Sequence, residues 1–195
     1  MQRIRLQRLS ATVIGLLAAG TLVASDVRSP SMLANTCAGC HGTHGASAGD
    51  YMPNIGGLDK GYLVISLSEY KTGESDSTIM GRIAKGYSDN EIKALASYFA
   101  RQPWVSADVT LDPALVAKGK AIHKEKCETC HEDGGRSQED ETPRLAGQWP
   151  DFTRTYLEDC RAKGRRCAPR KMGLRVKELS DEELEAMAHY YASER

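Results

Sequence analysis

Two short stretches concentrate the residues able to do chemistry. "TCAGCHGTHG" covers Thr36–Gly45, and "KCETCHEDGG" begins at Lys126. Both contain Cys-x-x-Cys-His, as Cys37/Cys40/His41 and Cys127/Cys130/His131. Four chemistries suit such a cluster: a disulfide, a redox-active dithiol, a zinc site or covalent haem attachment. A disulfide within Cys-x-x-Cys is geometrically poor on a helix and leaves the histidine without a purpose. A thioredoxin-like dithiol needs a βαβ context, which the sequence lacks. A zinc site would draw ligand pairs from distant segments, yet each cluster already has its own histidine. Haem attachment uses every residue: two thiols add across the porphyrin vinyl groups, and the adjacent imidazole reaches the iron. The expectation is two covalently bound haem c groups, through Cys37, Cys40, Cys127 and Cys130, with His41 and His131 as axial ligands.

The elements that must position these residues form a repeat. At the 90-residue offset of the two clusters, "MPNIGG" (Met52–Gly57) matches "TPRLAG" (Thr142–Gly147), pairing Pro53 with Pro143. "YSDNEIKALASYFA" (Tyr87–Ala100) matches "LSDEELEAMAHYYA" (Leu179–Ala192) at an offset of 92. Two copies of one domain account for this, with a first domain over 26–105 and a second over 106–195. They meet at the non-periodic, proline-bearing "RQPWVSADVTLDP" (Arg101–Pro113). Each copy reads as helical, so the expected fold class is all-α. Pro30 and Pro113 suit a first helical turn. Ser88…Glu91 and Ser180…Glu183 are capping boxes, followed by apolar residues at helical spacing: Ile92, Leu95, Ala96 and Phe99, then Leu184, Met187, Ala188 and Tyr191.

The repeat also selects the second axial ligands. Met80 and Met172 correspond at an offset of 92, in the register of the last helices. Met52 has no counterpart near Thr142, Met187 matches Leu95, His44 matches Gly134, and His189 matches Ser97, while His123 precedes its own cluster. Thioether ligation raises the iron potential and closes the coordination sphere, which suits electron transfer and argues against a peroxidase-type open iron. The competing role for either methionine is packing. Pro53 and Pro143 could each offer a carbonyl to the Nδ1–H of the ligand histidine, or serve only as turn prolines. Cys160 and Cys167 flank "RAKGRR"; a disulfide closing a short loop, free thiols and metal ligands are all open. Arg161 to Lys177 carries eight basic residues and no acidic one, which fits a docking surface, partners for haem carboxylates or a solvated loop. "QEDE" (Gln138–Glu141) reads as a solvated loop.

Residues 1–25 read as a secretory signal peptide: Arg3, Arg5 and Arg8, an apolar run to Ala24, and small residues for cleavage. An uncleaved anchor is the alternative. The chain is then periplasmic, in a compartment that permits disulfides. The whole sequence has 26 basic and 26 acidic residues; losing those three arginines leaves a net charge of about −3, which points away from nucleic acid. No later segment is apolar enough to span a membrane.

These motifs resemble those of dihaem class I cytochromes c, in tandem layout, across most of the mature chain. Two groups share it: cytochromes c4 and the dihaem cytochrome subunit of flavocytochrome c sulfide dehydrogenase. "CAGCHGTHG" (Cys37–Gly45) and "STIMGRIAKGYS" (Ser77–Ser88) resemble the latter, as do "LAGQW" (Leu145–Trp149), "KM" (Lys171–Met172) and "YYAS" (Tyr190–Ser193). The resemblance implies two tandem class I cytochrome c domains and the axial pairs His41/Met80 and His131/Met172. It further implies an FAD flavoprotein partner that oxidises sulfide, in a heterodimer, and a soluble cytochrome or similar acceptor downstream. The chain itself has no Gly-rich dinucleotide fingerprint, so it would be an electron-transfer subunit and not the site of sulfide oxidation. The alternative is a free-standing dihaem carrier delivering to a terminal oxidase. The Cys160–Cys167 pair departs from the family pattern.

Overall fold

The computed structural model describes residues 28–77, 79–163 and 170–195. The segment read as a signal peptide, and Cys167, lie outside the described residues. Among them there is no strand, only one isolated bridge between Glu139 and Thr142.

The first half contains α1 (Pro30–Asn35), α2 (Ala38–His41), a 3-10 turn at Thr43–Gly45, α3 (Lys60–Thr72), α4 (Met80–Ala84) and α5 (Asp89–Phe99). The second contains α6 (Pro113–Ile122), a π turn at His123–Cys127, α7 (Glu132–Gly135), α8 (Pro150–Lys163), α9 (Arg170–Lys177) and α10 (Asp181–Ser193). The starts follow local chemistry. Pro30 and Pro113 open α1 and α6, where a missing N–H costs nothing. Asp59 accepts from Tyr62 N at 3.0 Å to cap α3. Both capping boxes form: Ser88 with Glu91, and Ser180 with Glu183.

In each half the first helix packs on the last, α1 on α5 and α6 on α10. Leu33, Leu63, Leu95 and Phe99 fill one core; Ile122, Leu157, Leu184, Met187 and Tyr190 fill the other. Gly119 lets α6 reach α10, since a Cβ there would run into the Ala186 carbonyl. The repeat is visible in backbone hydrogen bonds. Gly45 O accepts from Ile55 N (2.8 Å) and Gly56 N (3.1 Å), and Gly135 O accepts from Leu145 N (2.8 Å) and Ala146 N (3.0 Å). Gly57 N donates to Phe99 O at 2.9 Å, and Gly147 N to Tyr191 O at 2.7 Å. The loop after each Cys-x-x-Cys-His is thus tied to its own last helix in the same way twice.

The halves are also sewn to each other. Gln148 accepts from Asn54 N at 2.9 Å and donates to Asn54 O at 3.0 Å. Gln138 accepts from Asp59 N and donates to Gly57 O, both at 3.0 Å. This corrects the reading of Gln138 as part of a solvated loop. Residues 101–112 carry no helix, yet Ala107 is buried and its N–H donates to Gly147 O at 2.8 Å, so the linker is fastened down.

Candidate haem centres

Each cluster folds as one tight turn behind the first helix of its half. His41 N donates to Cys37 O at 2.9 Å, and His131 N to Cys127 O at 2.9 Å. The turn sets the second cysteine and the histidine close behind the first. All four cysteines are free thiols; Cys37 and Cys127 are half-buried while Cys40 and Cys130 face outward. Burial pushes the Cys37 and Cys127 thiols up, opposed at Cys127 by a hydrogen bond from Tyr191.

The imidazoles are held differently. His41 is 9% exposed, and its Nδ1 lies 2.9 Å from Pro53 O. A carbonyl only accepts, so Nδ1 carries the proton and Nε2 keeps a free lone pair, the form a metal requires. Burial lowers the His41 pKa, and the bond to Pro53 partly offsets it. His131 is also neutral at pH 7: burial, then the neighbouring His123, push it down to about 4. Its Nδ1, however, is buried without a hydrogen-bond partner among the described residues. The Pro143 carbonyl therefore does not perform for His131 what Pro53 does for His41. The backbone explains the difference. Gly42 leaves the first turn at φ 71°, whereas Glu132 at the matching place is helical and the left-handed step falls on Asp133 at φ 52°.

Met80 and Met172 occupy matching elements. Met80 is the first residue of α4, just before the last helix of its half. Met172 is the third residue of α9, just before α10, and packs against the second core beside Cys127 and Leu145. Both are half-buried. The rejected residues sort as follows: Met187 is 2% exposed in the core, Met52 is 39% exposed, and His44 faces outward, bonded to Tyr98 at 2.9 Å. Within the basic stretch from Arg161 to Lys177, Arg170–Lys177 is a helix and not a loop, and residues 164–169 lie outside the described residues. Cys160 is buried and disulfide-bonded.

The Cytochrome c family model matches residues 30–102, and the model described as cytochrome C oxidase, cbb3-type, subunit III, a cytochrome c domain, matches 114–190. Cytochrome c4 of Thiocapsa roseopersicina is 30% identical over 166 residues, covering 79% of this chain and 84% of that protein. This chain belongs to the dihaem cytochrome c4 family. It has the all-α fold of two cytochrome c domains and carries two c-type haems. Two other relatives are named for redox partners. The cytochrome subunit of sulfide dehydrogenase from Chlorobaculum tepidum is 46% identical over 68 residues, 35% of this chain and 61% of that protein. The thiosulfate dehydrogenase electron acceptor of Stutzerimonas stutzeri is 30% identical over 173 residues, 82% of this chain and 79% of that protein.

The residues present fit such haems. Besides free thiols and neutral imidazoles, the structure offers buried donors with nothing to donate to. The indole Nε1 atoms of Trp104 and Trp149 are buried and unpartnered among the described residues. Arg144 lies over the Trp104 ring at 5.2 Å, and burial lowers its pKa. A buried N–H without an acceptor costs about 1–3 kcal/mol, so these groups suit an anionic acceptor such as a haem carboxylate. Trp104, Trp149 and the bonded His123 were not singled out from sequence as site residues. A tryptophan just after the Ala-Gly-Gln run, and another in the linker, are the signals that could have found two of them. His123 is 1% exposed, with Nδ1 3.1 Å from Tyr191 Oη and Nε2 2.9 Å from Glu128.

Proposed function

We propose that this chain is the dihaem electron-transfer subunit of a periplasmic sulfide dehydrogenase, taking electrons from an FAD flavoprotein that oxidises sulfide. The 46% identity to the Chlorobaculum tepidum subunit carries the reading, because it falls within a chain whose average likeness to other family members is nearer 30%. The haems supply one-electron acceptance at iron. Cys37 with Cys40, and Cys127 with Cys130, anchor them covalently. His41 with Met80, and His131 with Met172, would hold the two irons, with Pro53 O fixing the His41 tautomer. Trp104, Trp149 and Arg144 would donate to the haem carboxylates. Cys160 pairs with Cys167 in the second domain. Sulfide oxidised to zero-valent sulfur releases two electrons, which a flavin collects as a pair and two one-electron sites receive singly.

The surface near Met80 supports a lasting partner. Ile79, just before α4, is 51% exposed and Ile83 within it 38% exposed, beside Arg82 and Lys85. Exposed apolar side chains clustered at one short helix suit a partner that stays bound. The test is sulfide-driven haem reduction with and without the flavoprotein. The expected result is rapid reduction only when it is present, and co-purification of a flavin-bearing chain. Equal rates without it would replace this reading by a free-standing carrier, which the likeness to cytochrome c4 across both domains favours.

A further inference from the structure

We propose that the outer face of α9 docks an acidic, soluble redox protein that takes electrons from the second domain. This rests on the electron-carrier reading and adds where electrons leave and what charge the acceptor bears.

Helix α9 divides cleanly. At 3.6 residues per turn, Met172, Gly173 and Val176 share one side, and Gly173 and Val176 are buried. Arg170, Lys171, Leu174, Arg175 and Lys177 share the other, and all five are exposed. None of the four cations forms an ion pair with a described residue, although Arg136, Arg154 and Arg161 in the same domain do. Lys171 and Arg175 stand four residues apart, a like-charge spacing that weakens a helix. Four positive charges unpaired among the described residues thus surround one exposed apolar residue, Leu174 at 52% exposure, although the mature net charge is about −3. Met172 lies on the inner side of the same eight-residue helix. A partner seated outside is separated from it by no more than a helix diameter, roughly 10–12 Å.

The composition selects the occupant. A membrane-lying helix needs its apolar face outward, and the apolar side of α9 is turned into the core. A permanent subunit would want more than one apolar anchor. A cationic rim around a single Leu fits a negatively charged protein that arrives by electrostatic steering and leaves quickly. The α4 face differs, with two exposed isoleucines and two cations.

The test uses the full dihaem protein, reduced and mixed in a stopped-flow instrument with an acidic blue-copper protein, and separately with a basic one of matched potential. The expected result is faster oxidation by the acidic probe, falling at least about tenfold between low salt and about 0.5 M salt. Lys171→Gln with Lys177→Glu should cut the low-salt rate by roughly tenfold, and Arg82→Glu with Lys85→Glu by less than about twofold. An unchanged haem content by intact mass in denaturant, and an unchanged methionine-to-iron absorption band, show that each variant keeps its haems and ligands. Rates within about twofold of the parent in the α9 variants, or a larger loss in the α4 variants, overturn the proposal while leaving the carrier reading intact. Salt-sensitive binding to phosphatidylglycerol vesicles, with no preference for the acidic probe, also overturns it in favour of a membrane contact. Reduced haems that pass electrons to no oxidant would remove the carrier reading and this proposal together.

Discussion

His41 and His131 sit in the same motif, in copies of the same domain, yet one is tied and the other is not. His41 Nδ1 meets Pro53 O at 2.9 Å, whereas His131 Nδ1 is buried with no partner among the described residues. The backbone differs at the histidine and just after it. Position 42 is Gly, where a Cβ would run into the Ala46 carbonyl; position 132 is Glu and remains helical. Both copies keep the cysteine-to-histidine backbone hydrogen bond, while their torsions diverge at the histidine: His41 ends α2, and His131 sits at φ −110° and ψ 64°. An anchored imidazole is the more basic ligand and favours ferric iron, so the domains should differ in potential.

The largest test of the comparison removes one site at a time. Replacing Cys37 and Cys40 by alanine, or Cys127 and Cys130, should leave one covalent haem in each case, read by intact mass in denaturant. Loss of both haems from either variant would show that the copies do not bind independently.

The next test is the seam between the halves. Asn54 is 1% exposed and Gln148 5%, and they exchange two hydrogen bonds across the interface. Asn54→Ala removes the Asn54 side chain's bonds to Ser47 N (2.8 Å) and Val105 O (2.8 Å), and Gln148→Ala leaves Asn54 N and O unpaired. Each should cost roughly 1–3 kcal/mol in denaturant unfolding. The two costs should add to within about 0.5 kcal/mol, because the Asn54 side chain bonds Ser47 and Val105 while Gln148 bonds only the Asn54 backbone. A larger departure would mean that losing the Asn54 side chain moves the backbone that Gln148 grips.

The architecture was legible because its signals are local. Capping boxes, first-turn prolines and helical spacing fix α5, α6 and α10, and the offset of 90–92 residues places Met80 and Met172 on matching elements. What the sequence concealed depends on distant partners. Gln138 and Gln148 reach residues 79 and 94 positions away, so nothing beside them in the chain reveals the contact. The unpartnered His131 Nδ1 depends on backbone torsions around the motif, which Pro143, standing where Pro53 does, does not reveal. The basic stretch looked like a loop because its apolar positions are few; α9 needs only Gly173 and Val176 inside.

The potential difference is a smaller effect. A hydrogen bond worth about 0.5–1.5 kcal/mol to the ferric state corresponds to roughly 20–65 mV for one electron. The expected order is a lower midpoint for the first domain than for the second, read by spectroelectrochemistry on the single-haem variants. Equal midpoints, or the reverse order, would mean that other features outweigh the anchored nitrogen. The expected order carries electrons from the α4 side toward α9.

The smallest contrast lies in the two capping boxes. Ser180 accepts from Glu183 N at 3.3 Å, and Glu183 accepts from Ser180 N at 2.8 Å. Ser88 and Glu91 repeat this, and Glu91 also takes a 3.0 Å hydrogen bond from Arg28. Bonds from the serine hold both carboxyls below the usual range, with Arg28 adding to the effect at Glu91. A carboxylate lowered on folding contributes stability that is complete above its unfolded pKa, and is lost as pH falls through the folded value. Both boxes should therefore weaken only in acid, below the ordinary carboxylate range. Ser180→Ala should cost about 1 kcal/mol at pH 7, measured by thermal unfolding. Glu183→Gln should flatten the acid limb of the second domain's stability while leaving that of the first in place. Arg28→Ala should remove only the part of the first domain's acid dependence that salt also removes, because Arg28 is 51% exposed and its pair is screened. An acid limb unchanged in Glu183→Gln would show that this carboxyl titrates alike in the folded and unfolded chain, and that the box holds its helix by geometry alone.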